Sequence, residues 1–277
     1  MKPIRLLCYN ELKITAILKS SRECGGVMTD ILIFSGQSNM QGQTESDPHD
    51  KPVEGVSEYR LLTDSFVPLK NPVGEDIGEL LLASHLGHGS LVPYFAESYR
   101  KAGGRKAVCV HAAKGATVIS QWLPSREEGK ERYAALLKKV KGCFEKVTDE
   151  IGNVFFVWLQ GESDALAGTT EDDYLAMLRE FIADLKKDLG ITAFMIIKVG
   201  YFASMFGRKD ADEAIMRAQE RAAEEGIAIM LTDIATELSR DEKNLNPDAA
   251  GHFNNASMKI IGRVAGENAA KRASGAK

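Results

Sequence analysis

Five short apolar runs alternating with amphipathic helical periods constrain this chain more than any other feature. The runs fall at residues 31–34, 106–111, 154–159, 194–199 and 227–231, each the length of a buried strand. Between them, Tyr133, Leu136, Leu137, Val140, Phe144 and Val147 recur at helical spacing. So do Tyr174, Leu175, Leu178, Phe181, Ile182, Leu185 and Leu189. Thr170 and Asp173 form a start like a capping box for that second helix, and Ser90 reads as an N-cap with Pro93 tolerated in the first turn. Further helices are expected over 210–225 and 258–270. Apolar strands alternating with helices, without a repeat, predict a mainly parallel sheet of about five strands covered on both faces, a three-layer α/β/α sandwich. Ligands of such sheets lie beyond the carboxyl ends of the strands.

With 277 residues and 44% hydrophobic content the chain can bury a sizeable core without staples. The elements spread evenly, so residues 28–277 are expected to form a single domain. Residues 1–27 do not fit it. Lys2, Arg5, Lys13, Lys19 and Arg22 outnumber Glu11 and Glu23, while Asn10, Glu11 and Lys13 interrupt any apolar signal core. Gly25-Gly26-Val27 is what an in-frame ribosome-binding sequence would encode, so Met28 is the expected natural start and a cytoplasmic location the expectation. The formal net charge of -4 and the lack of a basic face argue against nucleic acid as a partner, and no apolar run is long enough to span a membrane. Homo-oligomerisation is left open. Cys8, Cys24, Cys109 and Cys143 have no metal-ligand spacing; Cys109 and Cys143 read as core thiols. His85 and His88 lack a third ligand, so no metal is expected.

Chemistry gathers where the strands end. Ile31-Leu32-Ile33-Phe34 is broken by Ser35-Gly36, which presents Ser38 just past a buried strand. That is the mechanical situation of many hydrolase nucleophiles, although Met40 stands where the α/β-hydrolase elbow has its second glycine. Turn formation or helix capping is the plain alternative for such a serine. Two later blocks follow strands in the same way: His111-Ala112-Ala113-Lys114-Gly115-Ala116-Thr117, and Trp158-Leu159-Gln160-Gly161-Glu162-Ser163-Asp164. Gly251-His252-Phe253 lies near the end. Residues 41–71 read as a long surface loop with a short hairpin through Tyr59-Arg60-Leu61-Leu62.

In order, these blocks resemble the SGNH-type esterases, and within them the carbohydrate esterases related to sialate O-acetylesterase and acetylxylan esterase. The Gly-Gln-Ser-Asn-Met and Gln-Gly-Glu-Ser-Asp blocks carry the resemblance, which spans about residues 29–270. It implies a flavodoxin-like SGNH hydrolase fold and a serine esterase that deacetylates small O-acetylated saccharides without a cofactor.

Ser38 is the candidate nucleophile and His252, on a loop before a helix, the candidate base. His49, His85, His88 and His111 are less well placed. The family commonly has an aspartate three residues before the histidine. Here that position is Ala249, so Asp248 would serve only through a bulge, and a Ser-His dyad oriented by a backbone carbonyl is the alternative. The N–H groups of Ser38 and Gly115 and the side-chain amide of Gln160 are the expected oxyanion donors. Gln37, Asn39 and Glu162 are expected to support the loops. Glu162 and Asp164 share one loop, unlike the opposed carboxylates of a glycosidase. Trp158 reads as core, and Trp122 as a surface on which a sugar ring could stack. An SGNH thioesterase or lipase-like hydrolase and a non-catalytic saccharide-binding protein are the rival readings.

Overall fold

Strand β1 (Met28–Gly36) runs through the middle of the molecule, in a computed structural model that describes residues 27–45, 51–84 and 88–275. It pairs in parallel with β4 (Ala107–Ala113) on one side and β5 (Glu150–Leu159) on the other. Ile31, Leu32, Ile33 and Phe34 are wholly buried, as an apolar run covered on both faces must be. The sheet continues through β6 (Ala193–Ile197) and β7 (Ile229–Thr232) at one edge. At the other edge stands a hairpin of β2 (Val56–Arg60) and β3 (Ser65–Pro68), giving the order β3-β2-β4-β1-β5-β6-β7.

The sheet therefore has seven strands rather than about five, and the excess is the hairpin. Its alternation is hidden in the sequence because Glu58, a charged residue, points into the core. Burial pushes the Glu58 carboxyl above the usual carboxylate range, and the Gly74 N–H (2.7 Å) and Arg60 (2.9 Å) satisfy it there.

The helices are α1 (Ser38–Gln41), α2 (Val92–Lys101), α3 (Glu127–Lys146), α4 (Glu162–Ala167), α5 (Glu171–Leu189), α6 (Lys209–Glu224), α7 (Ile234–Leu238) and α8 (Asn255–Ala273). Helices α2 and α8 cover one face, where Phe95 packs edge-on to Phe34 at 5.0 Å and Tyr99 meets Phe155. Their axes come close because Gly266 faces the Phe95 carbonyl, where a Cβ would sit 2.2 Å from the oxygen. The other face is built on Phe181 of α5, which meets Phe156, Trp158 and Tyr133 of α3. All seven residues of the α5 stripe expected from spacing are buried, and Thr170 Oγ1 accepts the Asp173 N–H at 3.2 Å as its cap.

Cys109 and Cys143 are buried free thiols. Among the described residues no helix is long and apolar enough to cross a membrane. The expectations for residues 1–26, and with them Cys8 and Cys24, lie outside the described residues, as do His49 and His85.

Candidate active site

Parallel register brings three chain ends together. Gly36 pairs with Ala113 and with Leu159, so β1, β4 and β5 finish side by side and their following loops share one rim. The Lys114 N–H donates to the Gly36 carbonyl (3.0 Å) and the Gln37 N–H to the Leu159 carbonyl (3.1 Å), tying the loops at their roots. Gly36 sits at φ 143, and a Cβ there would fall 1.9 Å from the Leu159 oxygen, so no other residue fits.

Ser38 opens α1 and is 6% exposed. Its own N–H, at the first turn of the helix, has no acceptor among the described residues. Gln37 is buried, and its Oε1 accepts from the N–H groups of Gly161 (3.2 Å) and Ser163 (3.1 Å) at the start of α4. Asn39 faces the other way. Its Nδ2 donates to Glu162 Oε1 at 2.8 Å while its Oδ1 accepts the Phe253 N–H at 3.2 Å. One amide thus joins the serine block, the Glu162 block and the residue beside His252. Burial raises the Glu162 carboxyl above its ordinary value.

The His252 loop is closed on itself and stitched to the serine loop. The Asn246 N–H donates to the His252 carbonyl (2.7 Å) and the His252 N–H to the Ala249 carbonyl (3.0 Å). Asn246 Nδ2 reaches the Gln43 carbonyl at 2.7 Å, and the Asn255 N–H reaches Glu45 Oε2 at 2.9 Å. His252 Nδ1 lies 3.0 Å from the Ala250 carbonyl oxygen. A carbonyl only accepts, so Nδ1 carries the proton and the Nε2 lone pair is left for general-base work. The Phe202 ring stands edge-on to the imidazole at 5.8 Å, and burial lowers the histidine below its ordinary value.

A serine at a strand end whose own N–H is unpaired, and a histidine oriented through Nδ1, are the kinds of group that acyl transfer needs. A family profile described as carbohydrate esterase, sialic acid-specific acetylesterase matches residues 28–271. The chain belongs to this carbohydrate esterase family.

The esterase is similar in fold to a protein from Arabidopsis thaliana, with a TM-score of 0.63 at 17% identity over 86% of this chain and 96% of that one. It is likewise similar to NanS (0.59, 15%, covering 87% and 97%) and to a carbohydrate acetylesterase from Xanthomonas citri (0.57, 15%, covering 89% and 57%). None of the curated proteins matches it. Membership of the family makes it a carboxylic ester hydrolase, and the solved structures share its fold.

Three expected roles differ in the esterase. Asp248 is exposed, and its own N–H donates to Asn246 Oδ1 (2.9 Å); the Ala250 carbonyl, not a carboxylate, orients His252. Gln160 is fully buried, with its Nε2 directed to Asp164 Oδ2 (2.6 Å), the Thr117 carbonyl (2.8 Å) and Gln37 Oε1 (3.2 Å), so it braces the loops instead of offering an oxyanion donor. Trp122 is fully buried against Trp158 at 5.5 Å with its N–H on Thr117 Oγ1, and no sugar can stack on it.

The Gly115 N–H lies beside Ser38 but donates to Gln41 Oε1 at 2.8 Å. Sequence reading missed Gln41 and the hub around Gln160, where Tyr174 and Gln219 converge and burial pushes Asp164 up to about 6. The run of amides at Gln37, Asn39, Gln41 and Gln43 was the signal available. Wholly buried His111 lies under α1 with Nε2 3.2 Å from the Met40 carbonyl, pushed down to about 3 by burial, and supports the helix rather than reaching substrate. Among the described residues no group of three or more acidic, histidine or cysteine side chains is gathered as for a metal ion.

Proposed function

We propose that the esterase removes acetyl groups from small O-acetylated saccharides, with Ser38 as nucleophile and His252 as base. The observation that carries the reading is the Asn39 bridge, which ties the residue after the serine to the residue after the histidine. Ser38 Oγ attacks the acetyl carbonyl carbon and passes its proton to His252 Nε2. Collapse of the tetrahedral intermediate breaks the bond to the sugar oxygen, which takes that proton and leaves. Water then attacks the acetyl-serine with His252 again as base, releasing acetate and restoring Ser38. The N–H groups of Ser38 and Gly115 stabilise the oxyanion, and the Ala250 carbonyl does the orienting work that an aspartate does elsewhere.

The family description and the carbohydrate acetylesterase from Xanthomonas citri favour a saccharide as the alcohol part. Hydrolysis of p-nitrophenyl acetate and butyrate tests the acyl preference. Faster turnover of acetate supports the acetylesterase, whereas preference for butyrate supports a lipase-like hydrolase.

A further inference from the structure

Gln41 ends the single turn of α1, three residues after Ser38, so the two side chains share a face of that turn. Its Nε2 donates to the Ala83 carbonyl at 2.8 Å, and its backbone carbonyl accepts from Ser84 Oγ at 2.9 Å. Only the NH2 end of the amide can donate to a carbonyl, so the orientation is fixed and Oε1 faces the Gly115 N–H. It does so at 2.8 Å. A Cβ placed on Gly115 would lie 3.0 Å from Gln41 Oε1 and 3.4 Å from Ser38 Cβ, which puts amide oxygen, glycine and nucleophile around one small volume. Oxyanion donors act at about 2.7–3.1 Å from the oxygen they stabilise. The Gln41 oxygen occupies that distance from Gly115.

We infer that Gln41 is a stand-in occupant of the oxyanion site: its amide oxygen holds the Gly115 N–H in the free enzyme, and the oxygen of the reacting carbonyl displaces it. The inference rests on the esterase reading of Ser38. Its chemical consequence is selectivity for the transition state. A neutral ester carbonyl competes with a neutral amide oxygen on equal terms, while a developing oxyanion binds the same N–H more strongly and wins. The Gly115 donor is therefore recruited as charge develops, and the Ala83 carbonyl keeps the released amide tethered nearby.

The test is the rate at which an alkyl fluorophosphonate inactivates the full chain. Ser38 Oγ forms a bond to phosphorus, fluoride leaves, the serine proton passes to His252, and the phosphoryl oxygen enters the oxyanion site. Gln41→Met has similar length but no strong acceptor for Gly115, and Gln41→Asn keeps an amide too short to reach it. Both variants are expected to be inactivated about threefold to tenfold faster than the native enzyme, the size of one neutral hydrogen bond. Gln41→Glu places a negative charge in the site and is expected to slow inactivation more than about tenfold. Melting curves identify a variant that has not folded, and the other then decides. Native enzyme labelled at Ser38, with folded Met and Asn variants no faster, overturns the inference about Gln41 alone. A native enzyme that fails to label at Ser38 overturns the esterase reading and this inference with it.

Discussion

Asn39 and Phe253, 214 positions apart in sequence, are joined by a buried hydrogen bond of 3.2 Å from the Phe253 N–H to Asn39 Oδ1. The same asparagine donates to Glu162, so the positions of Ser38 and His252, the proposed nucleophile and base, are tied by one side chain that follows Ser38 in sequence and bonds the residue following His252. Catalytic geometry in such an arrangement is a packing property, and an error of about 1 Å can cost roughly 10² in rate.

Replacing that amide should therefore lower kcat more than it raises KM. Asn39→Ala leaves the Phe253 N–H and Glu162 Oε1 unpaired in the interior, at a cost of about 2–5 kcal/mol. Asn39→Asp keeps the acceptor for Phe253 but faces Glu162 with a carboxyl, and should also be destabilised. Denaturant unfolding and steady-state kinetics of the two variants read both effects.

Asp248 should be dispensable. Its exposed side chain lies outside the contacts of His252, and Asp248→Ala is expected to change kcat/KM by no more than roughly twofold, the range of about 0.5 kcal/mol for a surface change. A loss of two or more orders of magnitude would mean that Asp248 orients the imidazole during turnover.

The acid limb of the pH profile should be shifted downwards. Burial lowers His252 from its ordinary 6.5, and a general base works only when neutral. Activity is then retained as pH falls through 6.5 and is lost below it. Measured kcat/KM against pH should place the limb below 6.5, and a limb above that value would contradict a buried base.

Stability should carry the mark of His111. Burial pushes it down to about 3, so between its unfolded value of 6.5 and about 3 the unfolded chain binds a proton that the folded one does not. Its contribution is complete above 6.5 and is lost as pH falls through that window, at up to about 1.4 kcal/mol per pH unit. Unfolding of His111→Gln across the same window should show a shallower slope than the native protein.

The strands and helices that form the sandwich were legible because their burial follows the apolar pattern: all seven stripe residues of α5 and Ile31, Leu32, Ile33 and Phe34 of β1 are core. The hairpin was legible only as a short one through Tyr59-Arg60-Leu61-Leu62, and its place in the sheet was not, since a buried Glu58 breaks the alternation that marks a strand. Ser38 and His252 could be proposed from their places after a strand and before a helix. What their neighbours do could not. Gln160 and Asp164 look like offered polar groups in sequence, and only the convergence of Thr117, Tyr174 and Gln219 reveals that their bonds are already used. Trp122 follows a glycine block as a surface aromatic would, but Trp158 and Phe181 enclose it. An exposed acid near a histidine is likewise visible, whereas a backbone carbonyl is carried by every residue and leaves no trace in composition.

The most direct test of the central claim is to quench the enzyme during turnover of p-nitrophenyl acetate and map acetylated peptides by mass spectrometry. An acetyl group on the peptide carrying Ser38, absent from Ser38→Ala together with turnover reduced by roughly 10⁴–10⁶, is the predicted result. Sustained hydrolysis by folded Ser38→Ala, or an acetyl group found only elsewhere, would contradict it.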